Sequence, residues 1–561
     1  MERRVFIAVI LSFVVLYGYQ ALFPPPEPPV PSKPAPQAAA TAAAPDAVAP
    51  GASTATPPAS EPAPAAQVGE SAPREIVVDT AHARIVLSNV GAHLLRWQLK
   101  GYTDARGAMV DLVPSDLPPE QPRPFSLAVP DAAMTRRMQS ATYRVSGDTS
   151  GHVDAQTQAR EVVFEYEDAG GLVVKKTLQF EPQRHVVRLT ALVQSGQSTL
   201  NPTVMWGPGL GDIGAVSGGG SFFTGNYVQP PQAIYQRDGK VERHAPDALN
   251  TQPVYEGNFR FLGIDDHYFI VTAVAAGQTR AEFKPLTLPG PGETRRVLIS
   301  FGLTFAQAPQ NVLFYIGPKQ FDALQGVDAE LVRAINFGMF AWLVVPLLST
   351  LKWLFGFVGN YGWSIITLTI ILNLAMFPLR HKSSVAMKKM QMVQPLMQAI
   401  QKRYSHLKMT DPARQKMNEE ISALYKEHGV NPASGCVPTL LTFPVLLAFY
   451  SLLSQSIELR GAPFVGWIHD LSAADPYYVL PILMGATMFW QQWVTPTSVD
   501  PAQQRVMMIM PVMFTTMMLF SPSGVVLYWF VSQVWAIGQQ YFTNWMIGSK
   551  PPARVPALSR K

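Results

Sequence analysis

Polar side chains recur at helical spacing inside long apolar runs after residue 360. Thr369 and Asn373 are four residues apart, so in a helix both lie on one face. The later runs contain further pairs of this kind: Thr439 with Thr442, Tyr528 with Ser532, and Trp529 with Gln533. A polar group that faces lipid lacks hydrogen-bond partners, so these side chains are expected to face one another or water. The chemistry they offer is hydration and hydrogen bonding.

Two interpretations of these polar residues stay open. In the first, they join neighbouring helices through hydrogen bonds worth about 0.6 kcal/mol each. In the second, they line a wetted cavity within the membrane part of the protein. Any single residue fits either interpretation. The polar faces recur on several helices, however, and a recurring set favours the cavity.

The sequence gives little support for a catalytic or metal site. Its ten histidines are scattered, and Asp265-Asp266-His267 stands alone before an apolar strand. Cys436 is the only cysteine, which excludes an intrachain disulfide, and its apolar surroundings predict a buried thiol. We therefore expect no enzymatic activity, no cofactor and no bound metal.

The 561-residue chain begins with three regions of different composition. Residues 1–23, charged at the start and then apolar, predict an uncleaved transmembrane anchor, with a cleaved signal peptide as the alternative. Residues 24–73 contain 15 prolines and predict an extended linker. Residues 74–327 predict a large β-sandwich, because apolar and polar side chains alternate. The alternation is clearest at Leu95, Trp97 and Leu99, at Phe164 and Tyr166, and at Val187, Leu189, Ala191 and Val193.

The charge distribution predicts how the apolar remainder crosses a membrane. Between residues 380 and 428, ten basic residues outnumber four acidic ones, which places this segment in the cytoplasm. If the anchor runs from inside to outside, only one crossing can separate an external β domain from this segment. The stretch of residues 328–360 contains Lys352 and many aromatic residues, so we predict that it lies flat as an amphipathic interfacial helix.

The resulting topology has six transmembrane helices and both termini in the cytoplasm. The crossings are the anchor, residues 361–379, and four helices within residues 431–545, followed by a basic tail at residues 546–561. Residues 380–430 are predicted to form a hairpin of two antiparallel helices. This prediction rests on spacings of three and four at Met390, Val393, Met397, Ile400 and Tyr404, and again at Met417, Ile421 and Leu424. Pro395 is expected to bend the first helix.

Three stretches of the apolar half resemble the YidC family of membrane protein insertases. They are NPASGCVPTLLTFPVLLAFY (431–450), APFVGWIHDLSAADPYYVLPILMGATMF (462–489) and SPSGVVLYWFVS (521–532). The resemblance covers residues 340–545 in order and with matching spacing. The anchor, the Pro/Ala-rich linker and the β domain resemble the Gram-negative form. This likeness implies a periplasmic, supersandwich-like β domain and a location in the bacterial inner membrane, with residues 24–360 in the periplasm.

The resemblance also implies a function and a site. It implies a five-helix core around a hydrophilic groove that is open to cytoplasm and lipid. Such a protein inserts and helps fold nascent membrane proteins, alone or with the Sec translocon and its accessory subunits. In the family pattern, the position of Asn373 commonly carries an arginine, whereas the predicted crossings here contain none. We therefore expect an uncharged groove in which hydration, rather than a salt bridge, admits acidic flanking segments.

Two further sets of residues carry functional predictions with simpler alternatives. Met510, Met513 and Met517 predict a flexible apolar surface along which substrates slide, and the alternative is plain lipid-facing bulk. A set of basic residues predicts contact with anionic lipids or with a ribosome, and the alternative is simple fixation of topology. This set comprises Lys388, Lys389, Lys402, Arg403, Lys550, Arg554, Arg560 and Lys561.

Two rival functions stay open. A polytopic transporter or channel is the first, although the sequence has neither a charged relay nor paired interrupted helices in two halves. The second is a membrane-anchored, carbohydrate-active periplasmic domain, because the β domain of the family resembles sugar-mutarotase folds.

Overall fold

A computed structural model of the protein describes residues 64–104, 107–118, 120–147, 151–210, 229–289, 295–404, 413–429, 437–494 and 501–547. Several predicted features lie outside these ranges. They are the anchor, most of the proline-rich linker, Cys436 and residues 548–561 of the basic tail.

The described N-terminal part consists mainly of β-strands in two sheets. The strands are β1 Ala66–Val68, β2 Glu75–Asp79, β3 Ala83–Ser88, β4 His93–Thr103, β5 Met109–Asp111, β6 Leu127–Ala128, β7 Arg144–Ser146, β8 His152–Asp154, β9 Arg160–Asp168, β10 Leu172–Phe180, β11 Val186–Ser195, β12 Ser198–Leu200, β13 Thr203–Trp206, β14 Gln232–Arg237, β15 Lys240–His244, β16 Val254–Asp265, β17 Phe269–Pro289, β18 Arg295–Phe305 and β19 Val312–Pro318. One sheet has 14 strands, and the other has the order β5-β4-β3-β2-β8. Three short helices accompany them: α1 Ala132–Ser140, α2 Pro246–Thr251 and α3 Phe321–Val327.

The predicted alternation is confirmed in β9 and β11. Phe164 and Tyr166 point into the core, as do Val187, Leu189, Ala191 and Val193. In β4 the prediction is right for Trp97 and Leu99 but wrong for Leu95, which is only half-buried. The pairing of β3 with β4 shifts register there, so that Leu87 faces Leu94 while Val86 faces Arg96. This bulge inserts one extra residue and turns Leu94 inward in place of Leu95.

The linker ends earlier than predicted. Residues 66–68, assigned by composition to a linker over residues 24–73, form strand β1, which pairs with β9. Glu70 then anchors the chain, because its carboxylate accepts hydrogen bonds from Arg74 and Asn89. The proline count could not reveal this strand, since its pairing partner lies about 100 residues further along the chain.

Both sheets contribute to one hydrophobic core, which encloses a buried cation. The core includes Trp97 and Leu99 of the smaller sheet and Phe164 and Leu178 of the larger one. Lys176 is 1% exposed, and its ammonium group donates to the carbonyl oxygens of Ala92 and Phe125 at 2.6 Å each. Burial lowers the pKa of Lys176 to about 7 from an ordinary value of 10.5.

This depressed pKa predicts a pH-dependent stability. Between about pH 7 and pH 10.5 the unfolded chain holds a proton that folded Lys176 has released. The free energy of unfolding should therefore rise with pH in that window, by up to roughly 1.4 kcal/mol per pH unit. Lys176→Met should flatten the rise, and Lys175→Met, an exposed neighbour on the same strand, should leave it unchanged. Denaturant unfolding of the full chain at several pH values measures the slope. Equal slopes in the wild type and Lys176→Met would contradict the assignment.

The second half of the chain is helical. Its helices are α4 Ala341–Val358, α5 Tyr361–Arg403, α6 Ala413–Glu427, α7 Val437–Gln455, α8 Val479–Val494, α9 Pro501–Met518 and α10 Ser523–Ile547. Within the described residues, two stretches are long and apolar enough to cross a membrane: Gly338–Val358 and Tyr361–Met390. They correspond to the predicted interfacial helix and to the first predicted crossing of the core.

The boundary predicted at residue 379 is not a break in the structure. Helix α5 is 43 residues long and runs through Pro378 and Pro395. The first arm of the hairpin is therefore an extension of the preceding apolar helix. The predicted packing of the hairpin is supported by Val393, Ile400 and Met417, which are all buried. The hydroxyl of Tyr404 donates to the Glu420 carboxylate at 2.7 Å, which joins the two arms. The connection between the two arms, residues 405–412, lies outside the described ranges.

The β domain and the helices share a second hydrophobic cluster. Ile270 and Tyr315 of the large sheet belong to it together with Leu348 and Leu351 of α4. Polar contacts reinforce the junction, since His267 Nε2 donates to the carbonyl of Ser454 at 2.9 Å. These contacts position the end of α7 against the β domain.

Helices α8 and α9 approach closely at a glycine. A Cβ atom at Gly485 would overlap the side chain of Thr515, whereas one at Gly538 of α10 would meet nothing within 4 Å. Gly485→Ala should therefore destabilise the helical core by about 1–3 kcal/mol, the usual cost of overpacking. Gly538→Ala should leave stability nearly unchanged, and Thr515→Ala should rescue Gly485→Ala. Thermal unfolding in detergent measures these differences, and an unchanged Gly485→Ala variant would refute the close approach.

Candidate functional site

A cavity of about 360 Å³ lies among helices α5, α7, α8 and α10. Its lining comprises Leu372, Asn373, Met376, Arg380, Ser383, Ser384, Val445, Leu446, Gln491, Tyr528, Trp529, Ser532, Gln533, Ala536, Gln539 and Gln540. Most of these side chains carry a hydrogen-bonding group, and they lie in helices that are otherwise strongly apolar. The polar residues of several helices thus line one shared cavity.

Asn373 lies at the centre of a hydrogen-bonded chain on α5. Its amide nitrogen donates to the carbonyl oxygen of Thr369 at 2.8 Å. Its side-chain oxygen accepts a hydrogen bond from Arg380 Nη1 at 2.7 Å. Residues 373 and 380 are seven apart, which is about two helical turns, so both side chains lie on the same face. The amide therefore holds the guanidinium group against the cavity wall.

The expectation of an uncharged groove is wrong. Arg380 is the only charged residue among the lining residues that the structure describes. The predicted crossing ends at residue 379, where cationic residues begin, and so does not include Arg380. Helix α5 runs through that boundary and carries the apolar-to-cationic transition into the cavity. Residue 373 is an asparagine, but the side chain of Arg380 reaches it from two helical turns away.

Five of the predicted groove residues line this cavity: Asn373, Tyr528, Trp529, Ser532 and Gln533. Thr369 does not, because it is fully buried and its hydroxyl donates to the carbonyl of Ile365 at 2.6 Å. Thr439 and Thr442 lie in α7, and their side chains are outside the described part of the chain. The predicted polar residues of α10 and Asn373 of α5 therefore line one cavity, and Thr369 is buried outside it.

Sequence reasoning missed several polar lining residues, among them Ser383, Ser384, Gln491, Gln539 and Gln540. A usable signal was present, since positions 373, 376, 380 and 384 follow spacings of three and four through Pro378. Gln539 is 7% exposed, and its Oε1 atom has no partner among the described residues. A buried oxygen in that state lacks the hydrogen-bond partner that such groups normally have.

An apolar block closes the cavity on the side of the β domain. Ile365 and Leu368 of α5, Phe449 and Leu452 of α7, and Val525 of α10 are all buried there. The ring of Phe449 stacks on Tyr528 with centroids 4.2 Å apart, so the polar lining of α10 begins where this block ends. Tightly packed apolar side chains thus close the cavity at one end.

The predicted methionine surface is partly exposed. Met510 and Met513 of α9 are 51% and 59% exposed, whereas Met517 is half-buried and packs against the helical hydrophobic cluster. Two exposed thioether side chains one turn apart form a continuous apolar strip on this helix.

The described basic residues of the hairpin are solvent-accessible. Lys389, Lys402 and Arg403 are exposed and Lys388 is half-buried. Arg403 also forms an ion pair with Glu420 at 2.9 Å. The four predicted cations of the tail, Lys550, Arg554, Arg560 and Lys561, lie outside the described residues. Within the described ranges, no group of three or more His, Cys, Asp or Glu side chains could hold a metal ion.

Comparisons with known proteins identify the family. The model described as YidC periplasmic domain matches residues 75–350, and the one described as 60Kd inner membrane protein matches residues 353–550. The membrane protein insertase YidC of Geobacter metallireducens is 36% identical, with 97% of this chain and 98% of the relative aligned. That of Oleidesulfovibrio alaskensis is 35% identical, with 97% and 99% aligned.

A crystal structure of an active YidC insertase with its first transmembrane domain resolved is 17% identical and covers 86% of this chain and 95% of its own, with a TM-score of 0.35. The full-length relatives and the two family matches together account for both the β domain and the helical half. The chain therefore belongs to the YidC family of membrane protein insertases.

Proposed function

We propose that this protein inserts hydrophobic segments of nascent membrane proteins into the bacterial inner membrane and assists their folding. The observation that carries the proposal is the polar cavity among α5, α7, α8 and α10, which contains Arg380 and is closed toward the β domain. A substrate that crosses a membrane must move a polar flank past hydrocarbon. A cavity of this kind shortens the apolar distance that the flank has to cross.

The energetics explain why a partial crossing is enough. An acidic residue at the centre of a transmembrane helix costs about 2.5–3.5 kcal/mol on insertion scales. The lining amides and hydroxyls offer hydrogen bonds, and Arg380 offers a charge that attracts a carboxylate. At an effective dielectric constant of about 20, two opposite charges 4 Å apart attract by about 4 kcal/mol. The attraction is of the same size as the insertion cost, so it can offset that cost for an acidic flank.

The hydrophobic part of the substrate would leave the groove sideways. Met510 and Met513 provide an exposed apolar strip on α9, and Met517 continues it toward the core. Flexible thioethers adapt to different side chains, which suits a protein that accepts many clients. The substrate then moves from the groove into lipid without any covalent chemistry.

The topology proposed is six crossings with both termini in the cytoplasm and residues 24–360 in the periplasm. The net charge of the segment between residues 380 and 428 supports it. In this arrangement α4 lies flat on the outer leaflet. Two observations support this orientation. Lys352 of α4 forms an ion pair with Asp322 of α3, and α4 exposes the side chains of Trp342 and Trp353. Tryptophan favours the membrane–water interface.

The proposed partners are nascent membrane proteins, the Sec translocon with its accessory subunits, the ribosome and anionic lipids. Exposed Lys389 on the hairpin supports contact with an anionic surface. Arg403 is a weaker candidate, because Glu420 neutralises part of its charge.

A channel or transporter is the competing function. The buried block of Leu368, Phe449 and Val525 favours an insertase, since a conducting path would have to pass through it. A photoreactive amino acid in place of Gln533 should crosslink to a nascent chain during insertion. The same residue in place of Leu452, inside the block, should not. Ion flux through reconstituted protein together with an absence of crosslinks at position 533 would instead support a channel.

Deletion of residues 75–320 provides a further prediction. Every residue of the cavity lining lies after residue 371, so the truncated protein should keep most of its insertion activity. Its thermal stability should fall, because Ile270 and Tyr315 pack against the helices. The measurement is insertion of a single-span client into reconstituted vesicles. Complete loss of activity, with the truncated protein still folded, would favour a function that resides in the β domain.

A further inference from the structure

A second cavity, of about 450 Å³, lies between the β domain and α3. The residues that matter for its chemistry are His82, Lys100, Tyr102, Arg184, His185 and Asp322. They come from the loops before β3 and before β11, from β4 and from α3. The volume is within the range of sites that bind small molecules, which is about 300–1,000 Å³.

A buried imidazole lies in the wall of this cavity. His185 is 8% exposed, and its Nδ1 atom has no hydrogen-bond partner among the described residues. The fold makes room for this ring, because a Cβ atom at Gly317 would lie 2.7 Å from His185 Cγ. Burial lowers the pKa of His185 to about 3, so the ring is neutral and carries one donor and one acceptor. The ring of His82 lies beside it, with centroids 4.9 Å apart.

The charged groups of the lining favour an anion. Lys100 donates to the carbonyl of Thr80 at 2.7 Å and pairs with Asp79 at 3.1 Å, which engages two of its three donors. Arg184 is 53% exposed on its side chain and lies 3.9 Å from Glu181, too far for a strong pair.

The acidic groups are directed elsewhere. Asp79 and Glu181 are not among the lining residues that the structure describes. Asp322 is, but it forms an ion pair with Lys352 of α4. An ammonium, a guanidinium and the neutral imidazole of His185 together suit the oxygens of a phosphate group.

The position of α4 identifies the source of that phosphate. Lys352 joins the cavity wall to α4, and the exposed face of this helix carries Trp353 and Phe357, 61% and 74% exposed. Such a face lies among lipid headgroups when the helix is flat on the outer leaflet. This step rests on the orientation of α4 given under the proposed function. We propose that the cavity binds the phosphodiester headgroup of an outer-leaflet phospholipid and thereby attaches the β domain to the bilayer surface.

The test uses the full chain, two probes and a matched pair of variants. The probes are phosphatidylglycerol, followed by native mass spectrometry of the detergent-solubilised protein, and soluble glycerophosphoglycerol, followed by calorimetry. Arg184→Gln should weaken phosphatidylglycerol binding about tenfold, which corresponds to about 1.4 kcal/mol, because it removes a charge-assisted hydrogen bond to the phosphate. Arg160→Gln should leave binding unchanged, because Arg160 is an exposed cation of the same domain that does not line the cavity.

The outcomes separate the sources of the phosphate. Tight binding of phosphatidylglycerol with weak binding of the soluble diester supports a membrane headgroup. Equally tight binding of both would overturn the headgroup assignment in favour of a soluble phosphodiester. Equal lipid binding by wild type and Arg184→Gln would overturn the site itself. Insertion activity of Arg184→Gln should match the wild type, so failure of the lipid site leaves the insertase proposal standing.

Discussion

Replacement of Arg380 by asparagine should reduce insertion of a client with an acidic flank by about tenfold or more. The reason is the loss of an attraction of about 4 kcal/mol at an effective dielectric constant of about 20, part of which hydration of the cavity replaces. A client with an uncharged flank should lose much less. The measurement is the initial rate of insertion of the two clients into vesicles that contain the purified protein.

Two further variants make this prediction specific to the cavity. Lys382→Asn removes a cation from the same helix, but Lys382 is exposed and is not a lining residue, so insertion should stay near the wild-type rate. The double variant Asn373→Arg/Arg380→Asn exchanges the members of the hydrogen-bonded pair and should restore most of the activity. Wild-type insertion of the acidic client by Arg380→Asn would show that the charge plays no part.

Filling the cavity should have an effect of similar size without unfolding the protein. Ala536 lines the cavity from α10, and a tryptophan there would occupy space that an incoming polar flank needs. Ala536→Trp should therefore reduce insertion of acidic and uncharged clients alike, by about tenfold if the new ring costs an entering flank about 1.4 kcal/mol. This lack of discrimination distinguishes a steric block from loss of the Arg380 charge.

The matched control for this variant lies on the opposite side of the same helix. Val534 is 47% exposed and is not a lining residue, so Val534→Trp should insert both clients normally. Thermal unfolding of both variants should stay close to that of the wild type, which separates a blocked cavity from a misfolded core. If Ala536→Trp is folded and fully active, substrates do not use this cavity.

The sequence predicted most of the architecture because the relevant signals are local. Alternation in β9 and β11 and the apolar runs of α7 to α10 reflect the side-chain periods of strands and helices. Leu95 was predicted wrongly because a bulge depends on the partner strand, which the periodicity of β4 does not contain. Strand β1 was missed for the same reason, since its pairing with β9 is a long-range contact.

The site was predicted less completely than the fold. Five groove residues follow from polar spacing, but Thr369 has the same spacing and is buried with its hydroxyl satisfied inside α5. Periodicity identifies a helical face and does not say how far along the helix the cavity extends. A membrane boundary placed at the first cationic residue leaves Arg380 outside the predicted crossing. In the structure the helix continues, and Asn373 binds the guanidinium group, so the cation belongs to the cavity.

Cysteine accessibility tests the central claim that water reaches Arg380 and Gln533 from the cytoplasm and stops at the apolar block. In a Cys436→Ser background, single cysteines would replace Ser384, Gln533 and Thr369, and a charged, membrane-impermeant thiol reagent would be added from the cytoplasmic side. Ser384→Cys and Gln533→Cys should react, whereas Thr369→Cys should not. Reaction at all three positions, or at none, would contradict a wetted cavity closed toward the β domain.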